Sequence, residues 1–171
     1  KISYRGFYTG TTSDGWDMFF NIDTLDRAGL FRYNINTGET FIGQAILQAD
    51  GSFDFINLSG RYTGTVTEGN FQGQIIQTGK STITFSGLRK SDFGPYAEMR
   101  GSYTGWVNSV SEPVRAIGLS IAADGDLIVF YTTDLNSFTM GEGRMLSDTT
   151  FNYTESTGII RTGTFTLLDN M

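Results

Sequence analysis

The sequence predicts an all-β protein: an antiparallel β-barrel of about eight strands, followed by a second, shorter duplicated β-unit. Three observations lead to this fold class. The chain is rich in turn-forming Gly (22) and in strand-forming aromatic residues (14 Phe and 8 Tyr). Apolar and polar residues alternate with a period of two, as in half-buried strands. Short patterns also recur at a nearly constant separation, which indicates an internal repeat.

Composition sets the broad limits. With 171 residues, the chain forms one domain or two small ones that share a core. Windows rich in the residues that favour helices are rare, so helix should be scarce. No apolar run approaches the roughly 20 residues of a membrane helix, so we expect a soluble chain without membrane insertion.

Charge and the missing residue types limit partners and location. The formal charge of -6 repels nucleic acid and anionic membrane surfaces. The chain has no Cys, which removes disulfides and thiolates. A β-rich, Lys-poor composition is common in exported bacterial proteins, and we therefore predict a secreted or cell-surface protein. Because the chain starts at Lys1, we expect that a signal segment or anchor preceded it.

The repeat divides the chain into a first unit, residues 1–100, and an incomplete second copy, residues 101–171. The separation is 95 residues between Gly6 and Gly101, and 99 residues between Thr63 and Thr162. The second copy ends about two strands early. The matching segments are Gly6–Gly10 with Gly101–Gly105, Asp50–Phe55 with Asp148–Tyr153, and Thr63–Thr65 with Thr162–Thr164.

Turn signals separate the predicted strands at regular intervals, as at Asp14-Gly15, Asp50-Gly51 and Asp124-Gly125. Many short strands joined by tight hairpins are typical of a meander that closes into a barrel. We count about eight strands in the first unit and six in the second, the second packing on the first barrel or sharing its seam. A single larger barrel spanning both units is the alternative.

The residue types exclude several kinds of chemistry. Without His or Cys there is no Ser-His-Asp or Cys-His arrangement. Paired carboxylates remain, so a glycan-active enzyme is an alternative function. Oxygen ligands near Asp124 and Asp126 are too few for calcium, and we predict neither metal nor cofactor. The candidate carboxylates are Asp14, Asp17, Asp54, Glu98, Glu142 and Asp148.

Exposed loops offer candidate binding residues. Trp16 lies at a predicted hairpin tip, and Trp106 precedes a polar stretch, Asn108–Glu112, that resembles a mobile loop. An exposed Trp can stack on a sugar ring or anchor a protein partner, whereas burial is the ordinary fate of an aromatic residue. The predicted ligand-binding residues are Trp16, Asp17, Thr37, Glu39, Trp106 and Asn108.

One segment, Asp92–Tyr103, resembles the signature of the β-barrel domain in transferrin-binding protein B-like bacterial surface proteins. The resemblance extends over about residues 60–104. It implies an eight-stranded barrel whose loops capture a host or environmental protein, or a small ligand, at a bacterial surface. The family's lipid-anchoring Cys and amino-terminal handle domain are absent from this sequence, which leaves the partner open. The matching motif residues are Gly94, Pro95, Ala97, Glu98 and Gly101.

Each motif residue also has a structural interpretation. Gly94 and Pro95 should form a turn, Ala97 should fit beneath a crossing strand, and Gly101 should let two backbones approach. Glu98 should accept hydrogen bonds from backbone amides or from Arg100 or Arg5.

We therefore expect a non-enzymatic binding module, with a structural or adhesive β-repeat as a further alternative. The missing strands of the second copy leave an open sheet edge near Ile159–Leu167. We expect a monomer in which Lys1–Gly10 covers that edge. A strand-to-strand dimer is the other way of covering it.

Overall fold

The computed structural model describes residues 4–109, 112–134, 137–155, 158–164 and 166. These form antiparallel strands and one 3-10 turn, Ala97–Met99. No helix in these residues is long and apolar enough to cross a membrane. The strands are β1 (Gly6–Thr12), β2 (Asp17–Ile22), β3 (Arg27–Tyr33), β4 (Thr40–Ile46), β5 (Ser52–Asn57), β6 (Gly60–Val66), β7 (Asn70–Ile76), β8 (Ile83–Arg89), β9 (Gly101–Ser109), β10 (Glu112–Ile121), β11 (Asp126–Asp134), β12 (Ser137–Met145), β13 (Thr150–Glu155) and β14 (Ile160–Thr164).

Strands β1–β8 form an antiparallel, nearly closed barrel, which confirms the predicted fold class. The strand order is β4-β3-β2-β1-β8-β7-β6-β5. The two end strands meet at the seam, where the ring of Phe55 in β5 packs over Gly43 in β4. A side chain on Gly43 would begin 2.6 Å from that ring, so the glycine lets β4 and β5 approach each other.

Side chains fill the barrel interior. Alternation along the strands points one apolar set inwards, and the rings of Phe20, Phe53, Phe71 and Phe85 meet with centroids 4.7 to 6.5 Å apart. Tyr8 is fully buried and donates hydrogen bonds to backbone carbonyls through its hydroxyl group. Burying a side chain of this size contributes about 1.5–3 kcal/mol, so the barrel is held by a packed core.

The turns form for local reasons. At the β1–β2 hairpin, Gly15 has a φ of 84°, a conformation that residues with a side chain rarely adopt. At the β4–β5 turn, the Asp50 carboxylate accepts hydrogen bonds from the backbone and hydroxyl of Ser52. These bonds hold the pKa of Asp50 below its usual value and keep the turn closed.

Strands β9–β14 form a second antiparallel sheet, in sequence order from β14 to β9. Its core includes Leu119, Leu127, Val129 and Phe151. The chain divides into compact units at Lys90/Ser91, and no described strand belongs to both sheets. The alternative of one larger barrel is therefore wrong.

The prediction that Lys1–Gly10 covers the open edge of the second sheet is also wrong for the described part of that amino-terminal segment. Residues from Gly6 onwards belong to β1, whose two edges pair with β2 and β8. Its hydrogen-bonding capacity is already used within the barrel. Among the described residues β14 pairs only with β13, and Ile160 at the start of β14 is 70% exposed.

The motif segment forms the turn that its glycine and proline predict. Ala97 N–H donates to the Gly94 carbonyl, and the Gly94 backbone lies so close to Ala123 that a side chain would collide with it. Gly101 differs from expectation, since only the Tyr103 ring lies near it. Its φ of 149°, rather than a close backbone contact, favours glycine there.

Glu98 does not have the expected partners. It is exposed, and no hydrogen bond joins it to another residue in the described part of the chain. Arg100 instead donates to the backbone carbonyl of Asp92 at 2.7 Å and pairs with its carboxylate at 3.4 Å. The turn therefore brings Arg100 to Asp92 rather than to Glu98.

The two units contain one matching tyrosine contact. Tyr8 O–H donates to the carbonyl of Tyr4 at 2.8 Å, and Tyr103 O–H donates to the carbonyl of Met99 at 2.7 Å. In each bond the two residues are four positions apart, and the second pair follows the first by 95 residues in the chain. This agrees with duplication, which stays a prediction.

Candidate functional site

A shallow, open groove of about 810 Å³ runs over the outer face of β1, β6, β7 and β8. Alternate side chains of each strand line the groove. In β6, Tyr62 and Val66 point into the core, so Thr63 and Thr65 point outwards. Apart from the buried Thr12, the polar residues that line it are Thr11, Ser13, Thr63, Thr65, Gln72, Gln74, Thr84 and Ser86.

These side chains form two rows across the sheet. In one row Thr63 pairs with Gln74, which pairs with Thr84. The other row runs from Thr65 through Gln72 and Ser86 to Thr11. The β1–β2 hairpin closes the first row, because Ser13 N–H donates to the Thr84 carbonyl and Ser13 Oγ accepts from the Thr84 N–H. The register therefore places hydroxyl and carboxamide groups side by side.

Most of this polar surface forms no hydrogen bond with the residues that the structure describes. Gln72 and Gln74 are exposed, and their carboxamides have no hydrogen bond to any residue that the structure describes. The same holds for the hydroxyls of Thr65 and Ser86 across the described ranges. The lining residues are uncharged. The groove thus offers free donors and acceptors to a ligand.

Trp16, predicted as a possible contact residue, is only 9% exposed. Its ring stacks on Phe41 with centroids 5.6 Å apart. The guanidinium carbon of Arg32 lies 4.1 Å from the centre of the Trp16 ring. Asp14 forms an ion pair with Arg32. Trp16 therefore closes one end of the barrel core, while Asp17 is half-buried at the start of β2.

Thr37 and Glu39 lie in the loop between β3 and β4, at the same end of the barrel as the β1–β2 hairpin. Both residues are exposed. The Thr37 hydroxyl donates to the Glu39 carboxylate at 3.0 Å, so the loop is ordered by its own side chains. The fold places these two predicted residues at a barrel end, as the sequence suggested.

Trp106 and Asn108 lie in β9, and the structure describes only the backbone of these two residues. The predicted loop 108–112 is largely strand, because Ser109 pairs with Glu112. Residues 110 and 111 lie outside the described residues. Whether these side chains contact a ligand stays a prediction.

Two of the six candidate carboxylates, Asp14 and Asp54, form ion pairs with arginines. Asp54 accepts two hydrogen bonds from Arg61, one from Nε at 2.9 Å, and this interaction holds the pKa of Asp54 below its usual value. Asp14 binds Arg32, as described above. Asp148 is exposed in the turn before β13, and Glu142 lies within β12.

The second unit contains a buried polar cluster that the sequence did not reveal. Tyr131 O–H donates to the buried carboxylate of Glu155 at 2.5 Å, and Arg161 pairs with the same carboxylate. Burial, together with the bond to Glu155, raises the pKa of Tyr131 to about 12. Strand pairing brings these residues together, and the cluster fixes one end of the second sheet.

Within the described residues, no group of three or more Asp or Glu side chains could hold a metal ion. The groove itself was missed from the sequence. Its signal was present in the segments Thr63-Gly64-Thr65, Gln72-Gly73-Gln74 and Thr84-Phe85-Ser86, each of which places two uncharged polar residues around one inward position.

Comparison with family models, with curated proteins and with solved structures gives no significant match to this chain.

Proposed function

We propose that this protein is a non-enzymatic binding module of a secreted or cell-surface type, which binds its ligand on the outside of the barrel. The observation that carries the proposal is the open, uncharged groove with unengaged hydrogen-bonding side chains. The resemblance of residues 60–104 to a bacterial surface family agrees with a binding role.

The filled barrel supports an external site. Because Phe20, Phe53, Phe71 and Phe85 occupy the interior, a ligand held inside would have to displace packed rings. Close-packed protein cores tolerate such displacement poorly. The outer face and the hairpin-end loops are the surfaces left for recognition in the first unit.

The environment of one candidate carboxylate, Asp54, argues against its use as a general acid. A general acid needs a raised pKa, whereas hydrogen bonds from Arg61 lower the pKa of Asp54, and those from Ser52 lower the pKa of Asp50. These groups are held as structural anions. They stabilise turns and strand pairs.

A binding screen coupled to product analysis tests the proposal. The immobilised chain is exposed to arrayed glycans and, separately, to arrayed soluble proteins that include transferrin. Every ligand retained is then incubated with the chain in solution and analysed by mass spectrometry. We expect retention of at least one ligand with no product. Turnover that disappears in Glu142→Gln or Asp148→Asn would show an enzyme, and a chain that retains nothing from either array would contradict the binding role.

A further inference from the structure

We propose that the groove on the outer face of β1, β6, β7 and β8 binds an extended, uncharged polysaccharide laid across the strands. This inference rests on the proposed binding function, and it names the ligand class and the site.

The chemistry of the groove matches sugar hydroxyl groups. A hydroxyl can donate one hydrogen bond and accept others, and a carboxamide carries both donors and an acceptor. Thr65, Gln72, Gln74 and Ser86 present such groups without using them inside the described protein. A sugar ring carries hydroxyl groups that also donate and accept, so either the sugar or the protein group can be the donor in each hydrogen bond.

The dimensions match a chain rather than a single small molecule. Four neighbouring strands at about 4.8 Å spacing make a strip of roughly 14 Å, and the two rows lie about 6.7 Å apart along each strand. The register gives a repeated hydroxyl–amide–hydroxyl order, as in Thr63, Gln74 and Thr84. Each row therefore offers hydrogen-bonding groups over several neighbouring strands to a chain laid across them.

The charge pattern selects an uncharged ligand. The groove lining contains no charged side chain. Continued onto β5, the row that contains Thr63 reaches Asp54, whose carboxylate forms an ion pair with Arg61. A uronate or sulfate would meet no cation in the groove, and the net charge of -6 repels it from a distance.

The missing aromatic platform sets the strength of binding. Phe85 lies beneath the groove and is buried in the core, so no ring face is offered for stacking. Hydrogen bonds alone give weak affinity for one segment of a ligand. A polymer with many equivalent segments compensates by rebinding at high local concentration, which again favours a polysaccharide over a free monosaccharide.

Affinity electrophoresis in native gels tests the inference. The gels contain dextran, laminarin or mannan as uncharged polymers, and alginate or dextran sulfate as charged ones. The test variants are Gln72→Ala with Gln74→Ala, and Thr65→Val, which removes one hydroxyl at nearly constant shape. The control is Gln44→Ala, which removes an exposed carboxamide from the outer face of β4, away from the groove. Circular dichroism and thermal midpoints confirm that each variant folds.

We expect at least one uncharged polymer to retard the protein, independently of salt. The double Gln variant should bind at least tenfold more weakly, Thr65→Val should bind several-fold more weakly, and Gln44→Ala should bind like the wild type. The inference is overturned if no uncharged polymer binds, if the groove variants bind normally, or if only charged polymers bind and salt abolishes the effect.

The outcomes also separate this inference from the proposed function. Retention of a soluble protein that is insensitive to the groove variants would sustain the binding function and overturn the polysaccharide site. Cleavage of an uncharged polymer whose binding depends on Gln72 and Gln74 would support the site and contradict the non-enzymatic function.

Discussion

The ion pair at the end of the barrel core provides the sharpest test of the structure. The Arg32 side chain is 3% exposed, while the carboxylate of its partner Asp14 is 35% exposed. Arg32 Nε is buried without a hydrogen bond among the described residues. The charge of Arg32 is therefore balanced by Asp14 and by the face of Trp16. The variant Asp14→Asn removes the counter-charge and retains the oxygen that accepts from Thr12 at 2.5 Å.

The magnitude follows from burial. Removing one partner of a fully buried pair costs about 3–5 kcal/mol because the other charge is left uncompensated. Solvent reaches Asp14, and the cation–π contact with Trp16 retains part of the stabilisation. We therefore expect Asp14→Asn to lower the free energy of unfolding by about 1.5–3 kcal/mol. Arg32→Met keeps most of the buried stem and removes the charge, so Asp14→Asn should cost little in that background.

Urea unfolding followed by tryptophan fluorescence measures each corner of this double-mutant cycle. Asp54→Asn is the matched control, because it breaks an ion pair on the exposed outer face, where such pairs contribute little. The reasoning is refuted if Asp14→Asn is no more destabilising than Asp54→Asn, or if the effects of Asp14→Asn and Arg32→Met simply add.

Three further outcomes follow from packing and titration. Gly73→Ala should destabilise the barrel by about 2–3 kcal/mol, because the new methyl group would meet the backbone of β6 and lie 2.5 Å from the Phe85 ring. Gly69 has open space around it, so the control Gly69→Ala should change stability by less than about 0.5 kcal/mol. Equal effects of Gly73→Ala and Gly69→Ala in urea unfolding would contradict the close packing at Gly73. Tyr8→Phe removes hydrogen bonds to two carbonyls and should cost about 1–2 kcal/mol; an unchanged unfolding midpoint would argue against them. The pKa of Tyr131 is raised from 10 to about 12 in the folded state, so the folded protein binds the phenolic proton more tightly than the unfolded chain does. The protonated Tyr131 therefore stabilises the fold fully below pH 10, and this stabilisation is lost as the pH rises to about 12. Between pH 9 and 12 the thermal midpoint should fall less in Tyr131→Phe than in the wild type. Identical pH profiles of the midpoint in the two proteins would rule out the pKa shift.

Much of the fold was predictable because it depends on local patterns. The alternation of apolar and polar residues predicted the strands, of which β8 is one, and the glycine turns predicted where hairpins close. These signals need only neighbouring residues, since pleat geometry and turn conformations are local properties. Eight strands and then six emerged from them, in agreement with the structure.

The partners of individual side chains were not predictable in the same way. Trp16 at a hairpin tip had no sequence feature that fixed it inside the barrel, because its burial depends on Arg32 and Phe41 from β3 and β4. Glu98 was the carboxylate closest to Arg100 in the motif, yet the turn directs Arg100 to Asp92. Such choices depend on the path of the chain between residues and not on their separation in sequence.

The sequence by itself determined the class of structure, its strands and turns, and the missing His and Cys chemistry. The tertiary structure alone decided that the interior is solid and that polar rows from four strands meet in one groove. Thr11 and Thr65 are 54 positions apart in the chain but share a row through Ser86 and Gln72. Alternation fixes which face a residue takes, whereas closure of the barrel and the register of each strand fix which residues it joins.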